Sequence, residues 1–273
     1  MVDKYPYGSI GLGTLSWRGQ SSLEYALKTY ADAGFYALFD EAMIFLPEVD
    51  DESKSIAAQH PYRIETSPDN FGIMNGMEEI AKRLKTDYIF FTENDCPLLE
   101  DKAECERQIT KALALLSQDN ACMARMRHTK HFGEKFNIYD KYLRYFPIMD
   151  TVAAKARRLL RPSKAKRLCG NAVYVSDAPS HQFPQYIEDV GDGFFLVDCA
   201  TMAWTNQSII INRQFFLDTI IPYCKSVPLG RGANGFKAIE VELNNSRFWT
   251  QSGWKIACGA GLLTHKRVEA RTY

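Results

Sequence analysis

The sequence has no excess of charge of either sign, with 33 Lys and Arg against 33 Asp and Glu. That balance excludes a global basic field of the kind that drives non-specific nucleic-acid binding, so no nucleic-acid partner is expected. Close cysteine pairs are also lacking. Cys96, Cys105, Cys122, Cys169, Cys199, Cys224 and Cys258 are seven in number and widely scattered. An odd, dispersed set argues against a zinc site and against a secreted disulfide framework, and for reduced thiols in a cytoplasmic protein. No apolar run approaches the length of a membrane span. The polar opening "MVDKYPYGS" does not read as a signal peptide, since a strand follows at once.

What is present is ordinary for a soluble globular chain. The 273 residues are 46% hydrophobic and 24% charged, which suits one large domain or one with an elaborated end. The first half alternates strand and helix. "GSIGLGTLSW" reads as a strand and "SSLEYALKTYADAG" as a helix ending at Gly34. "FYALFDEAMIFL" and "YRIETSPDN" read as the second and third strands. "NGMEEIAKRLKT" carries Met77, Ile80, Ala81 and Leu84 at helical spacing, and "DYIFFTEND" is a fourth strand, apolar until its end. This alternation predicts an α/β fold with a parallel sheet covered by helices on both faces.

Ligands of such sheets bind beyond the carboxyl ends of the strands. Those ends are polar here: Thr14, Ser16 and Arg18 after strand one, Asp40 and Glu41 in strand two, Ser67, Asp69 and Asn70 after strand three, and Glu93, Asn94 and Asp95 after strand four. Turn and cap positions favour the same residue types. Four successive strands ending this way nevertheless point to a shared site.

Two nucleotide-binding readings fit poorly. "GLGT" followed by a helix superficially resembles the start of an aldo-keto reductase barrel. That family expects a tyrosine shortly after the second strand's aspartate, and this chain has Phe45 there, which cannot donate a proton. A Gly-x-Gly-x-x-Gly dinucleotide turn should follow the strand and open the helix, whereas these glycines lie inside the strand.

The segment "SPDNFGIMNGMEEIAKRLKTDYIFFTENDCPL" resembles a glycosyltransferase of the GT-A fold, similar to the family-2-like nucleotide-sugar-dependent group. There an Asn and Gly precede a helix, and an apolar strand then delivers a short acidic motif, here Glu93-Asn94-Asp95. Glu replaces the commoner first Asp. The resemblance implies a Rossmann-like nucleotide-binding sheet with an acceptor-side C-terminal region in one domain, 1–273. Residues 1–100 would form the nucleotide half and 101–273 the acceptor half, with a variable insertion at about 128–195. It further implies that the acidic motif binds Mn²⁺ or Mg²⁺ and the donor's diphosphate. The chemistry agrees, because hard cations take carboxylate oxygens and stabilise a departing diphosphate. In a strand, Glu93 and Asp95 point the same way and Asn94 the other. By the same resemblance Thr14, Ser16, Arg18, Asp40, Glu41, Asp69 and Asn70 line the nucleotide-sugar.

The second half is less regular. "ACMARMRHT" reads as a further strand, and His128 and His131 as solvated or structural residues. Residues 151–170 carry Lys155, Arg157, Arg158, Arg161, Lys164, Lys166 and Arg167. Three readings stay open: a solvated helix and loop, a peripheral contact with the inner face of an anionic membrane, or a contact with a phosphate-bearing acceptor. "WTNQSIIINRQFFLD" reads as a strand leading into a helix. The glycine-rich loop 230–235 precedes a helix with Glu240 and Glu242, which cannot both face one site. In inverting members of the GT-A group a carboxylate at such a helix is the base, and Glu240 is the first choice for it, Glu242 the second. The family habit of a C-terminal histidine implies that His265 joins Asp95 and Glu93 at the metal, with Lys266 and Arg267 beside phosphate.

The expected activity is transfer of a sugar from a UDP-, GDP- or TDP-linked donor to a hydroxyl acceptor, a glycan or lipid-linked glycan. Three other classes remain: a nucleotidyltransferase on a similar sheet, an NADPH-dependent aldo-keto reductase, and a non-catalytic GT-A-like binding module.

Overall fold

The structure is a computed structural model and describes residues 4–229, 235–244 and 246–269. Its first part runs β1 (Ile10–Leu15), α1 (Gln20–Asp32), β2 (Glu41–Pro47), α2 (Asp51–Ala57), β3 (Arg63–Ser67), α3 (Gly72–Arg83), β4 (Tyr88–Glu93), α4 (Lys102–Ser117) and β5 (Met123–Arg127). Four short helices follow: α5 (Asn137–Tyr145), α6 (Val152–Leu160), α7 (Pro162–Lys166) and α8 (Pro179–Gln182). The chain then returns through β6 (Ile187–Asp189), β7 (Phe195–Asp198) and β8 (Ile209–Asn212). After β8, α9 (Arg213–Phe215) and α10 (Ile221–Ser226) are joined by a π-helical segment, Phe216–Ile220. The chain ends with α11 (Ile239–Asn244), α12 (Arg247–Thr250) and β9 (Lys255–Leu263). Residues 230–234 of the glycine-rich loop lie outside the described residues.

The nine strands of the described residues join in one sheet of order β3-β2-β1-β4-β8-β5-β9-β7-β6. β1 to β4 are mutually parallel, as expected of strands alternating with helices. β8 enters antiparallel between β4 and β5, and β5 pairs parallel with β9. The carboxyl ends of β1 to β5 and β9 therefore open on one edge, together with the residues that lead into β8.

Apolar residues cover both faces of the sheet. On one face Leu12, Phe90 and Ile210 pack under Leu23, Leu27 and Tyr30 of α1 and Ile109 and Leu113 of α4. On the other, Phe45, Phe91, Ile209 and Ile211 pack under Met77 and Ile80 of α3 and beside Phe216, Trp204 and Trp249. The second strand is shorter than its hydrophobic run predicts. Gly34 turns left-handed after α1, and Phe35–Leu38 form a 3₁₀ turn. That turn seats Phe35 and Phe39 edge-on against Phe90, so β2 starts only at Glu41.

The glycines of "GLGT" have a packing role. On β1, Ile10 and Leu12 face α1, so Gly11 and Gly13 face α3. A Cβ on Gly13 would lie 2.4 Å from Cγ2 of Ile80. Gly13→Ala is expected to cost about 1–3 kcal/mol by overpacking, read as a lower urea midpoint at unchanged slope. Combining it with Ile80→Ala should relieve the clash, so the two losses add to less than their sum.

Candidate active site

The four expected strand ends contribute unequally. Thr14 is buried in the sheet, where its hydroxyl meets Tyr62 Oη at 2.8 Å and Thr92 Oγ1 at 2.9 Å. It is a core hydroxyl and not a loop residue. Asp40 and Glu41 stand at the amino end of β2, on the opposite edge of the sheet. Asp40 accepts the Ile10 N–H at 2.8 Å. Glu41 accepts the Lys85 N–H at 2.9 Å and pairs with Arg63 at 3.5 Å. The expected placement of all three beside a nucleotide is corrected accordingly. A strand read six residues too long toward its start carried Asp40 and Glu41 to the wrong edge.

The acid at the carboxyl end of β2 is Glu48. Its carboxylate accepts the Trp17 indole N–H at 2.7 Å and lies 3.5 Å from the Arg18 guanidinium, which stacks 4.7 Å from the Trp17 ring centroid. Arg18 and Glu48 both adopt positive φ, 57° and 50°, so two tight turns face each other across the edge. Ser16 sits at the base of this cluster with its buried hydroxyl unpartnered. Trp17 and Glu48 escaped the sequence reading, although "LPEVDDESK" carries the signal of an acidic turn into a capped helix. Beyond β3, Asp69 is exposed, and Asn70 accepts the Gly72 N–H at 2.9 Å and so opens α3.

The end of β4 is the best-organised part. Glu93 closes the strand opposite Leu15. Asn94 donates from Nδ2 to the carbonyls of Arg18 and Gly19, tying the β1 turn to the β4 turn. Asp95 is 2% exposed. Its Oδ2 receives His265 Nε2 and Arg267 Nε, each at 3.0 Å, and its carbonyl receives the Lys266 N–H at 2.8 Å. The chain after β9 thus folds back along the chain after β4, where Leu98 bridges Leu263. Burial pushes the Asp95 carboxyl up, but the His265 and Arg267 contacts outweigh it and hold the group at about 2.

Asp95, His265 and Glu93 were expected to hold a divalent metal. Asp95 and His265 present an oxygen and a nitrogen 3.0 Å apart. Adjacent donors on an octahedral ion at roughly 2.1 Å are separated by about that distance. Among the described residues no group of three His, Cys, Asp or Glu closes around one point. Such ions are commonly held by one or two protein donors plus substrate phosphates. The donor set fits a cation that arrives with a diphosphate.

Beside this clamp lies a cavity of about 550 Å³, lined by Arg125, Arg127, Glu134, Glu240, His265 and Arg267 among others. Glu240 is fixed on its wall by the Asn206 N–H at 3.1 Å. Glu242, two residues on, is buried near Cys224, whose thiol is raised first by burial and then by the Glu242 carboxylate. Two residues on a helix are about 200° apart, so one carboxylate reaches the cavity and the other does not. His128 is structural: its Nδ1 accepts the Lys130 and His131 N–H groups, at 3.1 and 2.9 Å. A larger hollow of about 920 Å³, beside Tyr88, Asn212 and Lys255, opens at the opposite edge of the sheet.

No family model matches the chain, and no curated protein matches it. Solved structures do. S. aureus TarS 1–349 in complex with UDP-GlcNAc superposes with a TM-score of 0.51 at 9% identity, covering 96% of this chain and 60% of that one. Glucosyl-3-phosphoglycerate synthase from Mycobacterium tuberculosis, with Mn²⁺, UDP and glucosyl-3-phosphoglycerate, gives 0.49 at 11% identity over 97% and 73%. The mannosyltransferase PcManGT from Pyrobaculum calidifontis, with GDP-Man and Mn²⁺, gives 0.38 at 11% identity over 47% and 38%. The chain spans three-fifths of the length of the TarS fragment. At these identities the likeness is one of fold, and the fold is that of the GT-A glycosyltransferases.

Asp95 is ionised in the folded state at a pH where an unfolded aspartate is protonated. Its contribution to stability is therefore complete above about pH 4 and is lost as the pH falls toward 2. Asp95→Asn should lower the urea midpoint at neutral pH, and its gap from the wild type should narrow below about pH 4. A gap independent of pH would show that the ionised carboxylate contributes nothing.

Proposed function

We propose that this protein is a glycosyltransferase that moves a sugar from a nucleoside-diphosphate donor to an acceptor hydroxyl with inversion. The observation that carries the reading is the meeting, at the carboxyl edge of a GT-A sheet, of the Asp95–His265–Arg267 clamp with a cavity walled by Glu240. The TarS complex, alike in fold, holds UDP-GlcNAc, and a donor of that chemical class is assigned here.

In this reading the half up to residue 100 takes the donor. Ser16, Trp17, Arg18 and Glu48 hold the base and ribose, with the indole offering a stacking face and Asp69 and Asn70 at the margin. Glu93, Asn94 and Asp95 lie beneath the diphosphate, and Lys266 and Arg267 neutralise its charge. Mn²⁺ or Mg²⁺, bound by Asp95, Glu93 and His265, would supply Lewis-acid stabilisation to the departing nucleoside diphosphate. Glu240 accepts the proton of the acceptor hydroxyl as that oxygen forms its bond to the anomeric carbon and the bond to the diphosphate breaks. The remainder of the chain, with the helical region at about 128–195, binds the acceptor.

Thermal denaturation with UDP, GDP, TDP, CMP or NADPH, each with and without Mn²⁺, tests the donor. One nucleoside diphosphate should raise Tm in a metal-dependent way, and Asp95→Ala should abolish the rise. Stabilisation by NADPH alone would instead support the reductase. Glu240→Gln should lower turnover roughly 10²–10⁴-fold while leaving donor stabilisation intact, whereas Glu242→Gln should turn over normally if folded.

A separate observation supports peripheral contact with an anionic membrane. Ile148, Met149, Val152, Leu159 and Leu160 are each more than three-quarters exposed. On α6, Val152, Ala156, Leu159 and Leu160 share one side, opposite the buried Ala154. Residues 151–170 hold seven Lys and Arg and no acid, which suits an interfacial helix on anionic lipid. No helix among the described residues is long and apolar enough to cross a bilayer. The protein should co-sediment with phosphatidylglycerol vesicles but not with phosphatidylcholine vesicles, and Leu159→Asp with Leu160→Asp should release it. Equal sedimentation with both vesicles would overturn the contact.

A further inference from the structure

β5 carries two arginines where an interior strand ordinarily carries apolar residues. Met123, Arg125 and Arg127 share one side of the strand. Met123 joins the core, and the arginines turn into the 550 Å³ cavity. Both are buried, with 7% and 8% exposure.

Their partners are neutral. Arg125 donates to the Ala203 carbonyl and to Tyr174 Oη at 3.4 Å, and its buried Nε has no partner. Arg127 donates to the carbonyls of Phe132 and Glu134 and to Gln207 Oε1 at 3.2 Å. Its guanidinium also lies 5.3 Å from the Phe136 ring centroid. No carboxylate of the described residues lies within ion-pair distance of either arginine. Buried charges are ordinarily paired, because an unpaired one loses its hydration with nothing in return. The neutral acceptors fix the planes of both guanidinium groups, and the carboxylates of Glu240, for Arg125, and Asp95, for Arg127, act on them through space without forming an ion pair. Lys135 adds a third cation at the same wall, against the carboxylates of Glu134 and Glu240.

We propose that Arg125 and Arg127 form the binding site for an oxyanion, phosphate or carboxylate, carried by the acceptor substrate. Planar guanidinium groups match such anions with paired N–H···O contacts. The site shares its cavity with Glu240, so anchoring the acceptor's anion there sets its hydroxyl beside the base. The inference rests on the transferase reading for the word acceptor. The anion site itself rests on the arginines.

The test uses inorganic phosphate, with acetate as the carboxylate probe, on the full chain with Mg²⁺. Tm is followed with and without the nucleoside diphosphate that stabilises the protein. Phosphate or acetate should raise Tm in both states and add to the nucleotide's shift, and the stronger probe names the anion. Arg127→Gln and Arg125→Met should weaken that binding about tenfold or more, Arg127→Lys less so, and Lys111→Gln, on α4 beside the hollow at the opposite edge, not at all. Lys135→Gln, at an exposed position, gives a folded variant with a smaller loss should the buried substitutions fail to fold. If the anion and the nucleotide displace each other, the arginines serve the donor's diphosphate and the proposal falls. It falls equally if neither anion shifts the wild type, or if all variants respond alike. An arginine-dependent anion shift without any nucleotide shift would keep the site and overturn the transferase reading.

Discussion

Asp95 is one buried carboxylate held by a histidine and an arginine from the far end of the chain, and the geometry of the edge depends on that contact. His265 and Arg267 arrive there because β9 lies two strands beyond β8 in the sheet and its exit folds back along the exit of β4. Isolated, a carboxylate with 2% exposure would be neutral. Paired, it stays ionised and marks a fixed negative point at the mouth of the cavity. Neighbouring parts inherit their positions from it. Asn94 fastens the turn at Arg18 and Gly19, and that turn meets Glu48. On the other side, His265 Nδ1 reaches within 3.6 Å of Glu134, at the rim of the cavity.

The charges are sorted across the site. Carboxylates gather at the ends of β2 and β4, where a donor and its cation would sit. Cations gather on β5 and in the stretch 266–267. Arg125, Arg127, Lys135 and Arg267 outnumber Glu134 and Glu240 on the cavity wall, which explains how a chain of zero net charge can present a locally basic cavity. Outside the cavity, the helices between β5 and β6 expose an apolar face framed by lysines and arginines.

The legible parts of the sequence were those whose cause is local. The apolar run "YIFFT" ending in acids, the helical spacing of Met77, Ile80 and Ala81, and the strand before Arg213 each reflect interactions within a few residues. Asp40 and Glu41 were misread because Phe35 and Phe39 look like strand residues, although Phe35 opens a 3₁₀ turn and Phe39 follows it, both packed on Phe90. Thr14 was misread because its partners, Tyr62 and Thr92, lie 48 and 78 residues away. Arg125 and Arg127 were passed over since an alternating strand ordinarily turns its charges to solvent. Here both faces are covered, so the charged side also points inward.

The sequence by itself determined the alternation of strands and helices, the polar edge and the presence of acids after β4, because periodicity and turn chemistry are properties of neighbouring residues. Only the tertiary structure decided that Asp95 meets His265 across 170 residues, that Glu240 and not Glu242 faces the cavity, and that Glu48 replaces Asp40 at the edge. Those outcomes follow from strand order and from which side of each element is buried, and both are set by packing between segments that have no local signal of one another.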